Sequence, residues 1–242
     1  MESFLSPEIL LSFLTLSFLE IILGIDNLVF IAIVVSSLPK SYRNKARYIG
    51  ISLALVMRVI MLFALSWVMS MTKPLFTVFE IDFSFKNLLL IAGGLFLISK
   101  SGMEIYRDIK HIEADPSQTK KIIIKESFSA AVMQIVVVDF VFSFDSIITA
   151  IGMTTNIPVI VAAVVVAMTV MLFASDKISK ILSTYPSLKI MALAFIFMIG
   201  VILLADGLHL EVSKAYLYFA LFFSIAVESL NILAGANANK DK

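Results

Sequence analysis

Of 242 residues, 60% are hydrophobic and 15% charged, with a mean hydropathy of +1.00; soluble domains carry about 25% charged residues, so a water-soluble fold is excluded. The net charge of +1 argues against a nucleic-acid partner, which would need clustered Lys and Arg. Cys is absent, which removes disulfides, thiolate metal sites and Cys nucleophiles together.

Met1 to Glu8 holds two acids and no Lys or Arg. It lacks the basic start of a cleaved signal peptide, so the first apolar run, Ile9 to Val35, is expected to stay as a membrane span. Six more runs follow: Ile49 to Met71, Leu88 to Ile105, Ser127 to Ile151, Ile157 to Ser175, Leu188 to Leu208 and Ala215 to Leu233. Each is near the ~20 residues that cross a bilayer as a helix. The expected fold class is all-α: a polytopic membrane protein of seven transmembrane helices, residues 1–242 forming a single membrane domain.

Basic residues sort between alternate connections. Lys40, Arg43, Lys45 and Arg47 lie in the first; Lys100, Arg107, Lys110, Lys120, Lys121 and Lys125 in or beside the third; Lys177, Lys180 and Lys189 in the fifth. With Lys240 and Lys242 the total is 15, against Lys73, Lys86 and Lys214 on the other side. The positive-inside rule then puts the N-terminus outside and the C-terminus in the cytoplasm. Residues 106–126 form the one long connection. They separate spans one to three (9–105) from spans four to six (127–208), leaving 215–233 as a seventh. An odd number of spans in each triplet inverts the second relative to the first.

A repeated motif supports that division. Glu20-Ile-Ile-Leu-Gly24-Ile-Asp26-Asn27 in span one returns as Asp139-Phe-Val-Phe-Ser143-Phe-Asp145-Ser146 in span four. Met57-Arg-Val-Ile-Met-Leu-Phe-Ala64 in span two resembles Met168-Thr-Val-Met-Leu-Phe-Ala174 in span five. Ionisable groups at mid-span cost about 2.5–3.5 kcal/mol each to insert, so Glu20, Asp26, Asp139 and Asp145 must face a polar interior. At 100° per residue Glu20 shares a face with Asn27, and Asp139 with Ser146, whereas each acid pair points about 120° apart. Either the site wraps around each helix, or the helix loosens. Gly24 permits loosening in span one, which would free carbonyls as further ligands.

Carboxylates with Asn27 and Ser146 form an all-oxygen set suited to a hard cation such as Mn²⁺, Ca²⁺ or Mg²⁺. Zn²⁺ and Cu⁺ favour Cys and His; Cys is absent, and His111 and His209 fall in or beside loops. Four carboxylates around one divalent ion leave excess negative charge, so Arg58, the one basic residue inside a span, is expected to neutralise part of it, or some acids to be protonated. The plainer role for Arg58 is an ion pair that fixes packing. Glu228 in span seven either joins an exit path or reaches the cytoplasmic interface. Asp176 and Asp206, at span ends, read as solvated or capping residues, and Ala92, Gly93 and Gly94 as a close helix contact.

At these two motifs the chain resembles the TerC family of integral membrane proteins, named for tellurite resistance and similar to the LysE-type exporters. The resemblance extends to Val227-Glu-Ser-Leu-Asn231. Several members are linked to manganese efflux, which implies Mn²⁺ export here, with Glu20, Asp26, Asp139 and Asp145 as ligands. The expected function is therefore a transporter exporting a hard divalent cation by alternating access, in exchange for protons, from the inner membrane of the cell. The ion is cargo; no resident cofactor and no enzymatic activity are expected. A membrane assembly protein, bound to a partner or to a second copy of itself, is the alternative. An intramembrane aspartyl protease is a remote one, because Ile25 and Phe144 stand where that chemistry carries Gly before Asp.

Overall fold

The computed structural model describes residues 6–78, 81–113, 127–154, 156–210 and 212–238. Nine α-helices occur there in chain order: α1 (Pro7–Leu23), α2 (Ile25–Ser36), α3 (Lys40–Phe63), α4 (Leu65–Ser70), α5 (Phe85–Glu113), α6 (Phe128–Met153), α7 (Ile157–Thr184), α8 (Pro186–Gly207) and α9 (Lys214–Ala238). Five helices are long and apolar enough to cross a membrane, and six spans result if α1 and α2 count as one. Ala215–Asn231 is a shorter apolar stretch within α9. The all-helical polytopic class stands.

The boundaries depart from the sequence expectation where polar residues continue a helix beyond its apolar run. Helix α3 begins at Lys40 rather than Ile49, so the basic residues of the first connection lie on helical turns. Arg43 explains part of this: its guanidinium donates to the carbonyls of Ser36 (2.7 Å) and Leu38 (2.9 Å), satisfying groups that the end of α2 leaves open. Helix α5 runs on to Glu113, and the rest of the long connection, residues 114–126, lies outside the described residues. Span two is interrupted at Ala64, which separates α3 from α4. The connection to α5 holds an antiparallel hairpin that the all-helix reading did not include, β1 (Pro74–Val78) with β2 (Ile81–Ser84), with the rings of Phe76 and Phe83 stacked across it.

The chain divides into two compact units, Met1–Leu89 with Ile123–Lys180, and Leu90–Ile122 with Ile181–Lys242. Each takes helices from both halves of the chain. In the first unit, α3 lies along α6 closely enough that a Cβ on Gly50 would come within 2.9 Å of the Ile135 side chain. At the start of these two helices Tyr42 meets Phe128, with ring centroids 6.0 Å apart. In the second unit, α5 and α8 touch through reciprocal glycines. A Cβ on Gly94 would stand 2.6 Å from the Gly200 carbonyl oxygen, and one on Gly200 would stand 2.9 Å from that of Gly94. The close contact expected at Gly94 is thus present. At the ends of α5 and α8, Lys189 pairs with Asp108 at 2.8 Å.

Candidate functional site

Span one is bent by 41° where α1 meets α2. Gly24 at the bend has φ −89° and ψ −4°, a conformation open to any residue, so backbone freedom does not explain the glycine. Space does: a Cβ there would lie 2.6 Å from Met171 Sδ on α7 and 2.9 Å from the Glu20 carbonyl oxygen. Backbone bonds from Gly24 N–H to the Glu20 carbonyl (2.9 Å) and from Leu28 N–H to the Gly24 carbonyl (3.0 Å) bridge the bend. Helix α6 continues unbroken through Ser143, as the absence of a matching glycine predicts.

Against this bend lies a buried polar cluster. Glu20 stands in the last turn of α1, Asn27 in the first turn of α2, Arg58 comes from α3, and Asp139 and Ser143 from α6; none is more than 3% exposed. Arg58 sits between the acids. Its Nη1 is 2.8 Å from Glu20 Oε2, while Nη2 and Nε reach Asp139 Oδ1 and Oδ2 at 3.0 and 3.1 Å. That two-pronged contact uses the planar fork that distinguishes Arg from Lys. Asn27 Nδ2 also donates to Asp139 Oδ1 (2.9 Å), and Ser143 Oγ to Asp139 Oδ2 (2.9 Å). With both acids ionised, the three charged groups sum to one negative charge.

The two motifs meet through a hydrogen bond: Asn27, seven residues after Glu20, donates to Asp139. The Ser146 hydroxyl, seven residues after Asp139, is buried and donates to the Ser143 carbonyl at 3.3 Å. Asn27 Oδ1 is buried with no hydrogen-bond partner among the described residues, an acceptor whose desolvation costs about 1–3 kcal/mol if left unmet.

The other expected site residues fall as follows. Asp26 is buried in the first turn of α2, 7% exposed. Asp145 lies on α6, but its side chain is outside the described part of the structure. Among the described residues, no three His, Cys, Asp or Glu side chains gather closely enough to hold a metal ion. Glu228 is half-buried on α9, in the second unit. Asp176 is no merely solvated group: it pairs with Lys180 at 2.7 Å and with buried Arg47 at 2.8 Å. Sequence reasoning passed over Ser143 as a site residue, although its place four residues after Asp139 puts both on one helix face.

A model of the "Integral membrane protein TerC family" matches residues 5–242. The chain is similar to a UPF0053 protein of Haemophilus influenzae, 46% identical over 93% of this chain and 94% of that one. It is also similar to the UPF0053 inner membrane protein YgdQ of Escherichia coli, 43% identical over 94% of each chain. The E. coli inner membrane protein YoaE is 44% identical over 98% of this chain, which spans 45% of YoaE's length. No solved structure matches. With a match over nearly all its length and helices fit to cross a bilayer, this chain belongs to the TerC family of integral membrane proteins.

Proposed function

We infer that this protein is a secondary transporter that exports a hard divalent cation, foremost Mn²⁺, by alternating access at the buried carboxylates. The observation that carries this reading is the buried cluster in which Asn27 of the first motif bonds Asp139 of the second and Arg58 joins Asp139 to Glu20, beside a bent span. Such cross-pairing is the contact that two inverted copies of one motif would make, and it supports a single membrane domain built from inverted three-helix repeats with a seventh helix outside them. A site at the repeat interface, next to a discontinuous helix, is where such carriers hold their ion. Oxygen donors favour Mn²⁺, Ca²⁺ or Mg²⁺, and the manganese link of the resemblance selects among them. Asp26, Asp145 and Ser146 complete the ligand set in this reading.

Location follows the relatives named as inner membrane proteins, the export direction rests on the resemblance alone, and the orientation of the chain is argued from its charge distribution. In the first unit, Tyr42 meets Phe128, and Arg47 meets Asp176. This gathers the starts of α3 and α6 and the far end of α7, three basic connections, at one face. The positive-inside rule makes that face cytoplasmic.

One observation favours a second reading. Arg58 fills the space between the acids so fully that the cluster serves equally as a packing device for a membrane assembly protein. Inside-out vesicles carrying the protein and a metal-sensitive dye separate the two, with or without a proton gradient. Mn²⁺ uptake that disappears in Asp139→Asn supports the transporter. Folded protein that moves none of Mn²⁺, Ca²⁺, Fe²⁺ or Zn²⁺ points to the assembly role.

A further inference from the structure

An ionised carboxylate offers about four lone-pair sites. Asp139 accepts from Arg58 Nη2 and Asn27 Nδ2 at Oδ1 and from Arg58 Nε at Oδ2, while the single Ser143 hydroxyl proton is shared between Oδ2 and the nearer Asp139 backbone carbonyl. The same guanidinium holds Glu20 at 2.8 Å. A hard divalent ion needs oxygen ligands at about 2.0–2.6 Å, so it cannot enter between these acids while Arg58 is there. Of the donors on Asp139, only Arg58 carries the sign of charge that such an ion would bring.

We propose that Arg58 is a tethered cation that occupies the carboxylate site when it is empty of cargo, and that the transported ion binds by displacing it. The inference rests on the transport reading and adds to it how the empty carrier is neutralised. Asn27 fits the exchange: its buried Oδ1 has no hydrogen-bond partner among the described residues while its Nδ2 is engaged by Asp139. A half-turn of the amide presents that oxygen to an arriving ion as a neutral ligand. The tether comes from one half of the chain only. At the corresponding place of the second half stands Thr169, whose hydroxyl is turned back to the Val165 carbonyl at 2.7 Å. An element present once in a repeated frame stabilises one conformation over its mirror. It also lets the unloaded carrier reorient without leaving two bare carboxylates in the membrane, which would be costly.

The test uses the full chain in proteoliposomes with Mn²⁺ as the probe, comparing wild type, Arg58→Gln and Arg58→Lys for equilibrium binding, net flux and exchange of labelled Mn²⁺ for Mn²⁺. Removing a competitor that leaves the site open in a tenth or less of molecules raises apparent affinity about tenfold or more. Arg58→Gln is expected to bind Mn²⁺ that much more tightly, to keep exchange and to lose net flux. Arg58→Lys, which keeps the charge without the two-pronged grip, should bind more tightly than wild type by a smaller factor; it carries the comparison if Arg58→Gln does not accumulate. Binding in wild type with no gain in either variant would overturn the tether and leave the transporter standing. Exchange lost together with net flux in folded Arg58→Gln would also overturn it. Absence of Mn²⁺ binding in wild type and both variants would overturn the transport reading, and the tether with it.

Discussion

Asp139 receives three of the cluster's donors, Arg58, Asn27 and Ser143, whereas Glu20 shares Arg58. The two acids should therefore respond unequally to loss of charge. Removing one partner of a buried pair costs about 3–5 kcal/mol, because the other charge stays buried. Asp139→Asn gives up the charge and one of the two prongs of Arg58 and should sit at the top of that range, with Glu20→Gln below it. Thermal unfolding of the detergent-solubilised protein would rank them; a larger loss in Glu20→Gln would show that Asp139 is not the main anchor of Arg58. Ser143→Ala removes one neighbour hydrogen bond and should cost about 1 kcal/mol. At this scale the sequence was legible in part. The spacing of seven placed Asn27 with Glu20 and Ser146 with Asp139, but Arg58 stands 81 residues from Asp139 and 38 from Glu20, a separation that no helical period spans.

Among the helices, the glycines divide by what surrounds them. A methyl at Gly24 would strike the Met171 side chain and the Glu20 carbonyl, and one at Gly94 would strike the backbone of Gly200 and Leu204. Gly24→Ala should therefore impair transport and stability by about 1–3 kcal/mol, and adding Met171→Ala should recover part of it, because the sulfur is the nearer obstacle. No recovery in the double variant would shift the cause to the Glu20 carbonyl. Gly94→Ala faces backbone alone, so no single side-chain truncation should rescue it. Gly152, near the end of α6, has room for a methyl group, which would meet nothing within 4 Å; Gly152→Ala should be neutral or stabilising by up to about 1 kcal/mol through helix propensity. The same melting curves check all three.

For the whole molecule, the arrangement of basic ends can be read without background, because the chain has no Cys of its own. Single cysteines at Lys45 and Arg107 should react with a membrane-impermeant thiol reagent only in inside-out vesicles, and one at Lys73 only in intact spheroplasts. Reversed labelling would invert the orientation, placing the N-terminus in the cytoplasm. Of the two compact units, the first holds α1 to α4 with α6 and most of α7, and the second most of α5 with α8 and α9.

The sequence by itself determined the membrane class, the approximate helix positions and the burial of Glu20, Asp26 and Asp139, because each depends on local composition or on the cost of a charge in lipid. It also marked Gly24 as the weak point of span one. The tertiary structure decided the rest. Gly24 is required by the approach of Met171 rather than by its own dihedral angles. The basic first connection is helical because Arg43 closes the end of α2. Arg58, expected from charge balance to offset the acids, does pair with them, but that it grips Asp139 with two nitrogens and Glu20 with a third was decided by folding. Each of these depends on atoms brought together by folding, and periodicity along one chain carries no information about which distant side chain will fill a given space.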